Sequence, residues 1–258
     1  MSTSCQKSYS LFVATNLLYY WTLDEPNPGD TRIDKDQSVV LTPLTGGGFA
    51  LPGVGAGLFS NGVVFNNPAP QSAELLSSNP ILDPKINYVQ GQGLTAWGWF
   101  KMNAAYVAGG GPLVLPFDFS FFDDNVGTNR FGEISIILGG AQYISNAFDN
   151  TLHSIVAGPA FAPVIGAWNF VVTRYDTATG FVSLRVNAGA FVTGVTALNM
   201  KTGAFGQMAI NSTGGGSNLN MTVDEVGIVK KVLTNAQVDS LYNGGVGVTW
   251  PQVATIVS

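Results

Sequence analysis

The chain has 258 residues, and 11 Lys and Arg against 16 Asp and Glu give a net charge of −5. Charged residues are only 10% of the total, against about 25% in an average soluble domain, which excludes a nucleic-acid binder built on clustered Lys and Arg. An apolar content of 46% with 11% aromatics excludes a charge-rich disordered chain. One cysteine, Cys5, and one histidine, His153, exclude a disulfide-stapled fold and a zinc site of several Cys or His ligands.

Residues 1–16 read as a polar arm. The apolar runs Leu11–Ala14 and Leu17–Trp21 are interrupted by Thr15-Asn16, fall short of a bilayer span and precede no small-x-small cleavage site. The expectation is a chain made without signal peptide or transmembrane segment. From Leu17 onward, short β-like runs alternate with turn clusters, and the triplets Gly46–Gly48, Gly109–Gly111 and Gly214–Gly216 mark loops. Phe131 to Leu138 reads as a strand. Asn169 to Tyr175 and the alternating Val182, Leu184 and Val186 form a predicted hairpin across Asp176–Gly180, with Ser183, Arg185 and Asn187 on a wet face. Met221 to Val229 is a further strand. A helix is predicted from Thr234 to Tyr242: Thr234 and Gln237 make a capping box, Val238 and Leu241 line one face, and Asn243-Gly244 supplies the stop. The tail Val253–Val257 is β-prone and nearly uncharged, a composition suited to adding a strand to a sheet edge within the chain or in another one. The pattern indicates an all-β sandwich of two antiparallel sheets with one short C-terminal helix. Its parts are an arm (1–16), a single domain (17–248) and a tail (249–258).

Four segments in order resemble the laminin-G-like, concanavalin A-like jelly roll. These are Tyr20-Trp21-Thr22-Leu23-Asp24-Glu25 with Thr31–Asp34, Leu94–Lys101 with Trp99 at the family's tryptophan position, Trp168–Asp176 with the following hairpin strand, and Val223–Ile228 with the closing helix. The resemblance implies a fold that hosts lectins, adhesion modules and glycoside hydrolases alike.

Retaining glycosidases of that fold carry two carboxylates on one strand as Glu-x-Asp-x-Glu or Glu-x-Asp-x-x-Glu. No such spacing occurs: Glu133 in Phe131–Ile136 has no acidic partner at i+2. The lyases' Gln-x-His strand is missing too, so a non-enzyme is expected. For metal, the family's calcium sites draw on acidic residues, and Asp34, Asp123, Asp124, Asp224 and Glu225 are the candidate ligands. The alternative for Asp123-Asp124-Asn125 is a solvated turn, and for Asp224-Glu225 a structural hydrogen bond. No other cofactor is implied.

For glycan binding, Trp97, Trp99 and Lys101 share one strand face, and Trp250 beyond the helix is a fourth candidate. Against a sugar platform stands the reading that both tryptophans fill a core. The functional expectation is a non-catalytic surface module that binds carbohydrate or other virion proteins on a phage or virus particle, without nucleic acid or membrane insertion and open to homo-oligomer formation. A glycan hydrolase or lyase with dispersed carboxylates, or a cell-surface adhesion module, is the alternative.

Overall fold

A computed structural model describes residues 17–35, 40–43, 51–65, 75–77, 93–104, 113–120, 130–137, 142–148, 152–156, 163–176, 178–195, 207–212 and 220–258. In chain order the strands are β1 (Leu17–Trp21), β2 (Arg32–Ile33), β3 (Val40–Pro43), β4 (Gly53–Ala56), β5 (Asn61–Phe65), β6 (Leu75–Ser77), β7 (Leu94–Met102) and β8 (Leu113–Ser120). They continue with β9 (Arg130–Ile137), β10 (Gln142–Phe148), β11 (Leu152–Val156), β12 (Trp168–Asp176), β13 (Phe181–Val186), β14 (Val192–Val195), β15 (Gln207–Ser212) and β16 (Met221–Val229). Two helices follow, α1 (Asn235–Tyr242) and α2 (Gln252–Val257).

The strands form two antiparallel eight-stranded sheets. Sheet I runs β14-β13-β12-β7-β16-β5-β4, with β1 also paired to β16, and sheet II runs β11-β10-β9-β8-β15-β6-β3-β2. The chain is therefore a two-sheet jelly-roll sandwich, as the sequence pattern predicts. The 169–175/182–186 hairpin forms as β12–β13. Asp176 Oδ1 accepts from the amides of Ala178 and Thr179, and Gly180 supplies the positive φ of 75° that closes the turn.

Leu94, Ala96, Phe100, Met102, Val171, Tyr175, Val182, Leu184, Val223 and Ile228 point from sheet I into the space between the sheets, where they meet Leu41, Ile134, Tyr143 and Ile210. A polar tie crosses that core, since Ser145 Oγ contacts the Tyr175 hydroxyl at 3.1 Å and the Thr173 hydroxyl.

Strand β16 is the hub of sheet I. One edge pairs with β7, while the other is shared end to end, β5 taking Met221–Val223 and β1 taking Val226–Val229. Between them lies a β-bulge at Asp224–Gly227, with Glu225 in the left-handed region at φ 52°.

Two expectations need correcting. The tail does not add a strand: α2 folds as a helix, because Val253, Ala254 and Val257 fall on one helical face and bury against sheet I. Arg185 does not lie on a wet face either. It is buried beneath α1, where Nη2 pairs with Asp239 at 2.6 Å.

Candidate binding site on the helix-covered face

Residues paired across an antiparallel sheet project to the same side, so the register fixes what lies on the outer face of sheet I. Trp97 pairs with Val172 and Gly227, Trp99 with Phe170 and Asp224, and Lys101 with Trp168 and Thr222. The tryptophan face predicted for this strand exists, but it is not an open platform. Trp97 is 1% and Trp99 3% exposed. They join Tyr20, Phe170, Val172 and Val229 in a second apolar layer roofed by Leu233, Val238, Leu241, Val253, Ala254 and Val257. Trp99 packs at 4.9 Å from Phe170 and stacks at 6.0 Å on Tyr242. Neither indole has a face left for a sugar, so their assignment as glycan contacts is corrected. The cause is the C-terminal segment, whose apolar residues need the same surface.

Lys101 is half-buried, its Nζ 4.9 Å above the Trp168 ring, and the ammonium occupies that ring face. Trp250 is partly exposed, with one face stacked on Tyr20 at 5.5 Å. Of the four predicted glycan residues it alone keeps an aromatic surface within reach of solvent.

The acidic candidates scatter. Asp123 and Asp124 lie outside the described residues. Asp34 is buried just after β2. Asp224 and Glu225 sit in the bulge, sealed at 0% and 3% exposure. The Asp224 carboxylate accepts the Leu58 amide at 2.6 Å and the Glu225 amide at 3.0 Å, and the Phe59 amide also bonds to it. Its oxygens are thus spent on holding the tip of the β4–β5 hairpin against β16. Burial, reinforced by the negative charge of Asp24, pushes this carboxyl up to about 7 despite those amides. Burial alone pushes Glu225 up to about 8. Such values are those of general acids and bases, yet no substrate atom can reach either group. Among the described residues no three Asp, Glu, His or Cys side chains gather as a metal-holding set. Asp34, Asp224 and Glu225 therefore do not fit the calcium role, because donors already fill the Asp224 carboxylate and the three are not brought together.

A groove opens between the two helices. Ser240 and Asn243 from α1 and its end, Val248 from the connection, and Gln252, Thr255 and Ile256 around α2 line a depression of about 440 Å³. Local chemistry builds it. Thr234 caps α1 through the predicted capping box with Gln237, and Asn243 ends it in the left-handed region. The Asn243 amide nitrogen donates to the Gly247 carbonyl at 2.8 Å and fixes the turn. Gln237 Nε2 donates to the Ile256 carbonyl at 2.7 Å, and Lys231 Nζ to the Ser258 carbonyl at 2.7 Å. The first bond ties the second helix to the first, and the other anchors the chain beyond α2 to the segment that precedes α1.

Among the described residues the groove's lining carries amides and hydroxyls but no ionisable side chain. The α1 carboxylate, Asp239, is engaged by Arg185. Arg174, 3.5 Å above the Phe191 ring, donates to Asn235, and burial beside Arg185 lowers its pKa to about 10. Sequence reasoning finds α1 but misses the groove, because it reads the other wall as a strand. The available signal was the 253/254/257 spacing.

No family model matches the chain, and no curated protein matches it in sequence. Solved structures do share its fold. The binding domain of botulinum neurotoxin DC in complex with rat synaptotagmin II superposes with a TM-score of 0.64 at 13% identity over 90% of this chain and 52% of that one. The binding domain of Paraclostridial mosquitocidal protein 1 gives the same values. A botulinum neurotoxin type C structure, described as entering cells through interaction with two ganglioside molecules, gives 0.63 at 13% identity, over 90% of this chain and 51% of that one. The chain spans about half the length of each. The likeness shows that this chain shares their two-sheet β-sandwich fold.

Proposed function

We propose that the protein is a non-catalytic binding module of the laminin-G-like kind, displayed on a virus or phage particle, that engages carbohydrate or a neighbouring particle protein. The observation that carries this reading is the division of chemistry across sheet I. The two carboxyls with raised pKa are sealed inside the bulge, whereas the described residues lining the groove offer hydrogen-bonding groups and no side chain that titrates near neutrality. Such a surface can hold a partner but cannot protonate a leaving group. The toxin binding domains of the same fold, which their descriptions place with gangliosides and synaptotagmin II, support a recognition role. The particle setting rests on a cysteine-poor, weakly charged chain in a lectin-like fold. The test is to assay the purified chain for binding and turnover together. We expect retention on a glycan or particle-protein surface with no release of reducing ends from any polysaccharide. Sustained release of reducing sugar overturns the reading.

A further inference from the structure

We propose that the α1–α2 groove is a binding site for an uncharged saccharide, a mono- or disaccharide end rather than a sialylated or otherwise anionic one. This rests on the binding-module reading and specifies its ligand and location. A sugar presents hydroxyls that both donate and accept, alternating with apolar C–H faces. The groove matches both properties. Asn243 and Gln252 are planar amides carrying donors and an acceptor, Ser240 and Thr255 are hydroxyls, and Val248 and Ile256 supply apolar surface. Asn243 spends one amide hydrogen on Gly247 and Ser240 donates its hydroxyl proton to the Ala236 carbonyl. These two bonds hold the Asn243 and Ser240 side chains in place, which reduces the side-chain entropy lost on binding.

The volume of about 440 Å³ lies within the ~300–1,000 Å³ of small-molecule sites. Trp250, two residues along the chain from both Val248 and Gln252, is stacked on Tyr20 and is not itself a lining residue, so the apolar contact comes from Val248 and Ile256. Charge decides the ligand class. Among the described residues no Lys, Arg or His lines the groove to balance a carboxylate or sulfate, while Arg185 pairs with Asp239 and Arg174 packs on Phe191 and donates to Asn235. An anionic sugar would lose its hydration without gaining an ion pair.

The experiment uses the full chain on a printed array of uncharged hexose and N-acetylhexosamine oligosaccharides alongside their sialylated counterparts. Calorimetry follows on the strongest hit. Gln252→Ala/Thr255→Val removes polar partners and Ser240→Trp fills the groove, with near-ultraviolet circular dichroism checking the fold. We expect uncharged glycans to bind, both variants to lose affinity about tenfold or more, in line with lost hydrogen bonds, and sialylation to give no gain. Titration of the wild-type chain with the same oligosaccharide should shift the Asn243 and Gln252 side-chain amide signals in NMR, a readout that needs no variant. Glycan binding that ignores both variants and leaves those amides unmoved places the ligand elsewhere. Binding confined to sialylated glycans refutes the ligand class. In both cases the binding-module reading stands. Absence of any glycan binding overturns the groove proposal and leaves only the protein-partner form of the broader reading.

Discussion

At the centre of sheet I both faces are buried, yet they are built differently. Its inner face meets another sheet, so alternate residues of β7 and β16 (Leu94, Ala96, Phe100, Met102; Met221, Val223) interdigitate with side chains from sheet II. Its outer face meets short helices that arrive at the end of the chain, and large aromatics fill the less regular space beneath them, with Trp97, Trp99, Phe170 and Tyr20 under α1 and α2. Every residue of β16 is buried as a result. The inner face is a property of strands anywhere in the chain, whereas the outer one is completed only by the last 26 residues, 233–258. Irregularity follows the same division: the bulge, the left-handed Glu225 and the sealed Asp224 all serve the junction where β1 and β5 share one edge of β16.

The largest expected effect tests whether the outer layer is a core of equal standing. Trp97→Ala should cost about 3–5 kcal/mol, as for other buried large aromatics, measured by urea or thermal unfolding. A loss well under 1 kcal/mol would mean that the helices only rest on the sheet. Next comes pH. Asp224 and Glu225 have folded pKa values raised to about 7 and about 8, so the folded state binds their protons more tightly than the unfolded chain does. Their contribution is full below about pH 4, declines as pH rises through 7 and 8, and is flat above. Thermal midpoints should therefore fall between pH 5 and pH 9, by the equivalent of a few kcal/mol in total. Asp224→Asn/Glu225→Gln should flatten the trend. A midpoint that rises over this range, or an unchanged slope in the double variant, contradicts the assignment.

The sequence reveals the inner face well and the outer face poorly, for a physical reason. The alternation of Val182, Leu184 and Val186 reports one buried side, and the 234–242 helix announces itself through a capping box whose two bonds both form. The outer face has no periodic signature, because a strand buried on both sides loses its alternation. Trp97 and Trp99 are equally consistent with a sugar platform and a core until their cover is known. That cover includes Val253–Val257, whose β-branched residues favour a strand locally and are overridden by packing on Trp97 and Tyr20. None of the groove's lining residues is among the predicted glycan contacts. Ser240, Asn243, Gln252 and Thr255 are ordinary polar residues that acquire meaning only when two helices set them around one groove.

Gly227 probes how closely the outer layer is fitted. It pairs with Trp97, and a Cβ added there would lie 2.2 Å from the indole Cζ2. The ring is held on several sides and cannot retreat cheaply, so Gly227→Ala should destabilise by about 1–3 kcal/mol, the usual cost of overpacking. If Trp97→Ala restores most of the loss in the double variant, the clash is local. Strict additivity would instead show that Gly227 is needed for the backbone of the bulge.

The smallest effect asks whether the outer layer can loosen while the inner one holds. Thr234 accepts the Gln237 amide at 3.2 Å, and the Gln237 side chain accepts the Thr234 amide at 3.0 Å while reaching the Ile256 carbonyl with its other end. The cap thus orients the same glutamine that ties α2 to α1. Thr234→Ala should cost about 1 kcal/mol, with Thr234→Ser close to wild type. Because inter-sheet contacts do not pass through this cap, hydrogen exchange should quicken in α1 and α2 and stay unchanged in β12 and β13. Faster exchange in the β12–β13 hairpin as well would show that the two layers open as one unit, which would make the helical roof part of the sandwich's own cooperative core.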